Sequence, residues 1–129
     1  MLAAILPAVC GLMAIVGHVV PVFLKLRGGR GAATGAGVVL ALDWRVGAAA
    51  LGVWALAALL TRYASVASIL AAAAVPAAQL LLDSDAWGDR VPITILFLLA
   101  ALVVILRHIP NLRRLIGGTE ERLWAKRSS

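Results

Sequence analysis

Charged residues cut the hydrophobic material of the chain into five runs. The first, residues 2 to about 24, can cross a hydrocarbon layer of about 30 Å at about 1.5 Å per residue. Gly17, His18 and Pro21 interrupt it, so its last turns are expected to kink or unwind near the interface. The second run, residues 32–42, follows a glycine-rich connection, and the third covers residues 46–60. Both fall short of the roughly 17–25 residues of an ordinary span, which predicts tilted, re-entrant or thin-region segments. The fourth, residues 64–82, is rich in alanine with Pro76 expected to bend it, and the fifth, residues 92–106, opens on a proline suited to a first helical turn. Gly47 with Gly52, residues 55–58 and residues 71–74 supply the small side chains that let helices in lipid approach closely. The pattern predicts an all-α, polytopic membrane helix bundle of about five segments, some short or re-entrant, forming one integral membrane domain over residues 1–129, with residues 107–129 as a basic motif and tail.

Composition strengthens this reading. The chain is 63% hydrophobic and 14% charged, against about 25% charged residues in a soluble domain. It is far too apolar for a disordered chain, and a single cysteine, Cys10, excludes a disulfide scaffold. Cys10 is expected to pack as an ordinary apolar residue. The opening residues lack a basic n-region and a small-x-small cleavage site, so they read as a helix and not as a cleaved signal peptide.

Net charge is +6, but few aromatic residues accompany the cations, and nucleic acid is not an expected partner. If all five runs cross, one side collects Lys25, Arg27, Arg30, Arg62, Arg107, Arg113, Arg114, Arg122, Lys126 and Arg127, while the other collects Arg45 and Arg90. The positive-inside rule then puts the C terminus in the cytoplasm. Asp43, Asp83, Asp85 and Asp89 fall on the opposite side, and Trp44, Trp87 and Trp124 sit where interfacial anchors belong. All six acids lie outside the runs or near their ends, which argues against a proton relay.

Candidate chemistry gathers in two places on the basic side. In residues 17–34, Gly28, Gly29 and Gly31 free successive backbone amides to turn toward one point. Lys25, Arg27 and Arg30 add cations, and a helix N-terminus follows. This suits a phosphate, yet it lacks Walker A spacing, and an ordinary positive-inside turn fits the same residues. The second place is residues 107–120. Arg107 and His108 end the fifth run, and Asn111 shares a face with Arg114 if a short helix starts near Pro110. A histidine, with its ordinary pKa near about 6.5, serves as base or as phosphate ligand. His18 fits equally well as a site residue or as part of a helix break. Neither a Ser-His-Asp array nor metal-spaced histidines occur, so a serine hydrolase or a zinc enzyme gains no support; no metal and no cofactor are expected.

At these two stretches the sequence resembles the PlsY family, the bacterial membrane glycerol-3-phosphate acyltransferases that use acyl phosphate as donor. The family's Gly-His-x-x-Pro-Val-Phe pattern and glycine-rich Ala-Thr continuation correspond to residues 17–34, with Arg27 and Arg30 at usual lysine positions. Its Arg-His-x-x-Asn-Ile-x-Arg-Leu pattern with a later glutamate corresponds to Arg107, His108, Asn111, Leu112, Arg114, Leu115 and Glu120. Tyr63, Ala64 and Ser65 resemble its Tyr-Ser-Ser. An early Ser-Gly-Asn-Pro-Gly segment has no counterpart, so the chain is similar to the C-terminal part of the family domain.

The resemblance implies transfer of a fatty acyl group from acyl phosphate to glycerol 3-phosphate, giving lysophosphatidate in a bacterial inner membrane. It also implies membrane lipids, and the enzyme that produces acyl phosphate, as partners. His108, Asn111 and Glu120 would form the catalytic set. His18, Lys25, Arg27, Gly28, Gly29, Arg30, Gly31, Thr34, Ser65, Arg107 and Arg114 would hold substrate and phosphate. An inactive shortened member, or a non-enzymatic lipid-binding or transport subunit, is the alternative.

Overall fold

The structure is a computed structural model that describes residues 1–20 and 31–125. Helices α1 (Leu2–Val19), α2 (Ala32–Leu42), α3 (Trp44–Thr61), α4 (Ala64–Leu82), α5 (Val91–Arg107) and α6 (Ile109–Ile116) account for most of these residues, and no strand occurs among them. The expected all-helical membrane bundle is therefore present, with sharper bounds. The third run gains residues at both ends, so α1, α3 and α4 are each long and apolar enough to span. Helices α5 and α6 form a fourth candidate span bent by 43°. Only α2, with 11 residues, keeps the short length expected of it. The continuation of the first run beyond Val20 falls largely outside the described residues, and α4 runs through Pro76 as a single helix.

The connections follow from local chemistry. Asp43 ends α2 in extended backbone and caps α3, its Oδ1 accepting from the amides of Arg45 at 3.1 Å and Val46 at 3.4 Å. Arg62 closes α3 with a left-handed φ of 60°. Pro92 and Pro110 occupy the first turns of α5 and α6, where a missing N–H breaks no helical bond.

Helix α3 packs along α4, α5 lies between α4 and α1, and α2 leans on α3. Ile15, Val39, Val46, Val75, Leu96 and Phe97 form the main core, while many leucines, Leu81 among them, stay exposed as a lipid-facing surface requires. Small residues behave unevenly. A side chain on Gly47 would come within 2.9 Å of the Leu40 Cα, so this glycine does admit close approach of α2, whereas Gly52 is exposed with nothing near it. Ala57 and Ala58 pack on Ala67, and Ala72 on Ala101 and Val104. Cys10 points outward from α1 and does not pack in the core, contrary to expectation. The outer face of α1 carries Leu6, Val9 and Met13 as well, so an apolar thiol is at home there.

The acid-rich end holds an unanticipated latch. Arg90 donates to Asp83 at 2.8 Å, to Asp43 at 3.1 Å and to the Leu42 carbonyl at 3.2 Å. Gln79, fully buried, donates to Asp83 at 2.9 Å. Burial by itself would raise the Asp43 carboxyl, but Arg45, Arg90 and the capped amides outweigh it and hold the pKa below the usual carboxylate value. The latch ties the α2–α3 connection to the α4–α5 connection and so fixes the helices whose opposite ends carry the candidate chemistry.

Candidate active site

At the other end of the bundle α1, α3 and α5 finish and α2, α4 and α6 begin. His108 lies at the break between α5 and α6, is 2% exposed, and directs Nδ1 to the Val104 carbonyl at 2.7 Å. A carbonyl only accepts, so Nδ1 carries a proton and Nε2 is left for other partners. One turn on, the buried Asn111 donates from Nδ2 to Glu120 at 2.9 Å, and Arg114 donates from Nε to the other Glu120 oxygen at 3.0 Å. The expected shared face of Asn111 and Arg114 is thus realised, with Glu120 as its common acceptor. Burial would raise the Glu120 carboxyl, but the bonds from Asn111 and Arg114, the Arg114 charge and the nearby Ser65 hydroxyl together lower its pKa below the usual value.

Ser65, in the first turn of α4, is 1% exposed; its hydroxyl makes no hydrogen bond of full geometry among the described residues but lies close enough to the Glu120 carboxylate to lower its pKa. A buried hydroxyl so loosely engaged can turn to a ligand group or to Glu120.

The segment after α6 holds this cluster together. The chain reverses at Gly117 and Gly118, the latter at a φ of 72° that glycine adopts freely. The Leu123 amide then donates to the Arg62 carbonyl at 2.6 Å, Arg122 Nε donates to the Tyr63 hydroxyl at 3.1 Å, and the Leu123 side chain rests on Ala57, Ala58 and Ala67. Sequence reasoning missed this strap; its one legible signal was an isolated leucine in a charged tail. Gly31 begins α2 with a φ of 79°, close to the Val19 and Val104 side chains, which brings the start of α2 to the turn that anchors His108. Thr34 is half-buried in α2, while His18 and Arg107 are exposed at the ends of α1 and α5. Lys25, Arg27, Gly28, Gly29 and Arg30 lie outside the described residues.

A family model for glycerol-3-phosphate acyltransferases matches residues 1–118. The chain belongs to this family. A glycerol-3-phosphate acyltransferase of Aromatoleum aromaticum is 40% identical over 121 residues, covering 94% of this chain and 59% of that protein. One from Prochlorococcus marinus is 43% identical over 113 residues, covering 88% and 57% respectively. The chain therefore spans a little over half the length of these curated relatives. Among solved structures, the glycerol 3-phosphate form of PlsY, an integral membrane glycerol 3-phosphate acyltransferase, aligns at a TM-score of 0.82 and 33% identity. That alignment covers 90% of this chain and 56% of the other. The lysophosphatidic acid form aligns at 0.77 and 28% identity. Within the acyltransferase family, then, the described site residues gather at one end of a bundle whose course follows a solved member.

Proposed function

We propose that this chain carries the phosphate-handling and acyl-accepting part of an enzyme that transfers a fatty acyl group from acyl phosphate to glycerol 3-phosphate in phospholipid biosynthesis. The observation that carries the reading is the cluster of buried Ser65, His108 and Asn111 with partly buried Glu120 and exposed Arg114 at the basic end of the bundle. The acceptor hydroxyl oxygen attacks the acyl carbonyl carbon, the bond from that carbon to the phosphate oxygen breaks, and phosphate departs. His108 Nε2 polarises or accepts the hydroxyl proton, which leaves with the phosphate. Ser65 donates to a substrate oxygen. Asn111 and Glu120 hold the α6 turn in place, and Arg107 and Arg114 meet substrate charge. The amides and cations of residues 25–31 supply the remaining phosphate contacts, with His18 and Thr34 at their margins.

The site faces the cytoplasm of a bacterial inner membrane, where both phosphorylated substrates and the enzyme making acyl phosphate are met. Support for this comes from the segregation of ten of the twelve Lys and Arg residues to that side.

The test reconstitutes the chain in liposomes, alone and joined to the N-terminal part of the Aromatoleum aromaticum relative, and follows labelled glycerol 3-phosphate into lysophosphatidate when acyl phosphate is supplied. Product is expected at least from the extended protein, and His108→Ala should lower its turnover by about 10²–10⁴-fold with helicity unchanged. Normal turnover in His108→Ala removes that residue from the reaction. Absence of product from both wild-type forms, folded and inserted, would falsify the acyl-transfer reading.

A further inference from the structure

Between α2, α3, α4 and α5 lies a half-open cavity of about 400 Å³. Ala32 and Val104 line one of its ends, and they adjoin the functional cluster directly, since Ala32 follows Gly31 and the Val104 carbonyl holds His108. The cavity reaches Val39 on α2, seven residues along, or about 10 Å of helix. One leaflet of hydrocarbon is about 15 Å deep, so a chain entering at the reactive end lies along the helices over most of that depth. Among the described lining residues Ser68 is the one that carries a hydroxyl, and it accepts from the Trp54 indole at 3.3 Å. A polar ligand finds little to bond with there; an alkyl chain fits the lining.

Gly35 faces this space. It is buried, yet a side chain built on it meets no atom within 4 Å, in contrast to Gly11 and Gly47, where neighbouring atoms already fill the position. Interiors are close-packed, so open volume in front of a buried glycine has to be kept open by the residue choice itself. Gly35 lies one turn inward from Ala32, between the reactive end and the deeper cavity.

We infer that Gly35 is a specificity-determining residue of an acyl-chain channel among α2–α5, its missing side chain admitting the tail past the first turn of α2. This rests on the acyl-transfer reading. Filling the position closes the channel near its mouth and excludes long tails.

The experiment uses the 129-residue chain in detergent with Trp44, Trp87 and Trp124 changed to Phe, so that only Trp54 on the cavity wall fluoresces. Two probes are titrated: long-chain lysophosphatidate brominated along its tail, and a brominated long-chain alcohol without phosphate. Saturable quenching of Trp54 by both is expected. In Gly35→Leu the midpoint should rise at least about tenfold, the equivalent of losing roughly two buried methylenes. Gly37→Leu makes the same change at an exposed position of α2 and should leave quenching as it was. If Gly35→Leu does not fold, Gly35→Ala should give a smaller shift in the same direction. Unchanged quenching in the Gly35 variants, or no saturable quenching in the parent by either probe, overturns the channel. Saturation by the alcohol but not by lysophosphatidate retains the alkyl channel and overturns the acyl-transfer reading.

Discussion

The carboxylate of Glu120 is the residue on which the site's geometry turns, because it satisfies a buried amide and an arginine from one α6 face. Replacing it by alanine strands the Asn111 donor in a buried position, a loss of about 1–3 kcal/mol. The Arg114 contact adds little, since that side chain is half-exposed. The pKa of Glu120 is lowered in the folded state. Its contribution is therefore complete above the ordinary value near 4.5 and is lost as pH falls through the lower folded value. Hydrogen exchange of residues 109–120 should show protection constant from neutral pH down to the ordinary glutamate value and falling progressively below it, until the lower folded value is passed. In Glu120→Gln the protection should be weaker and flat over the same range; identical profiles for the two proteins would remove Glu120 from this role. Much of the cluster was legible in sequence because Asn111, Arg114 and Glu120 belong to one short helix and the turn after it, where spacing alone fixes neighbours. The docking of the segment from Arg122 to Leu123 on Arg62 and Tyr63 was not, since it depends on contacts between residues about sixty positions apart.

At the level of elements, hydrophobic runs bounded by charge located five helices, and the proline before Leu112 located the sixth. The sequence did not reveal what fixes the helices against one another at the acid-rich end. Asp43, Asp83 and Arg90 looked like separate interfacial charges, whereas folding gathers into one latch residues as far as 47 positions apart, with the acids less than a tenth exposed. Removing one partner of a buried ion pair leaves the other charged and desolvated, at about 3–5 kcal/mol. Arg90 keeps a quarter of its side-chain surface exposed, so about 2–4 kcal/mol is expected for Arg90→Ala. Thermal unfolding in detergent checks this. Arg90→Lys should recover part of the loss because an ammonium still neutralises the acids, though it cannot bridge two carboxylates and a carbonyl as the guanidinium fork does. Equal stability of Arg90→Ala and the parent would show that water, not the latch, satisfies Asp43 and Asp83.

For the whole molecule, charge asymmetry and helix direction agree on a single arrangement. Alternation puts the ends of α1, α3 and α5 and the starts of α2 and α4 on one side, and that side holds Arg62, Arg107, Arg113, Arg114 and Arg122, against Arg45 and Arg90 on the other. Because the rule counts Lys and Arg rather than net charge, and only Arg45 and Arg90 lie at the acid-rich end, the bias is nearly unopposed and the orientation should be uniform. A background lacking Cys10 carries a new cysteine either at Asp85, in the α4–α5 turn, or at Glu121, in the exposed tail. In intact cells a membrane-impermeant thiol reagent should label Asp85→Cys and spare Glu121→Cys, and permeabilised cells should show both. The reverse pattern would place Ser65, His108 and Glu120 outside, away from phosphorylated intracellular substrates, and would defeat the proposed reaction even with every local contact intact. Labelling of both in intact cells would mean that the Lys and Arg asymmetry does not fix a uniform orientation.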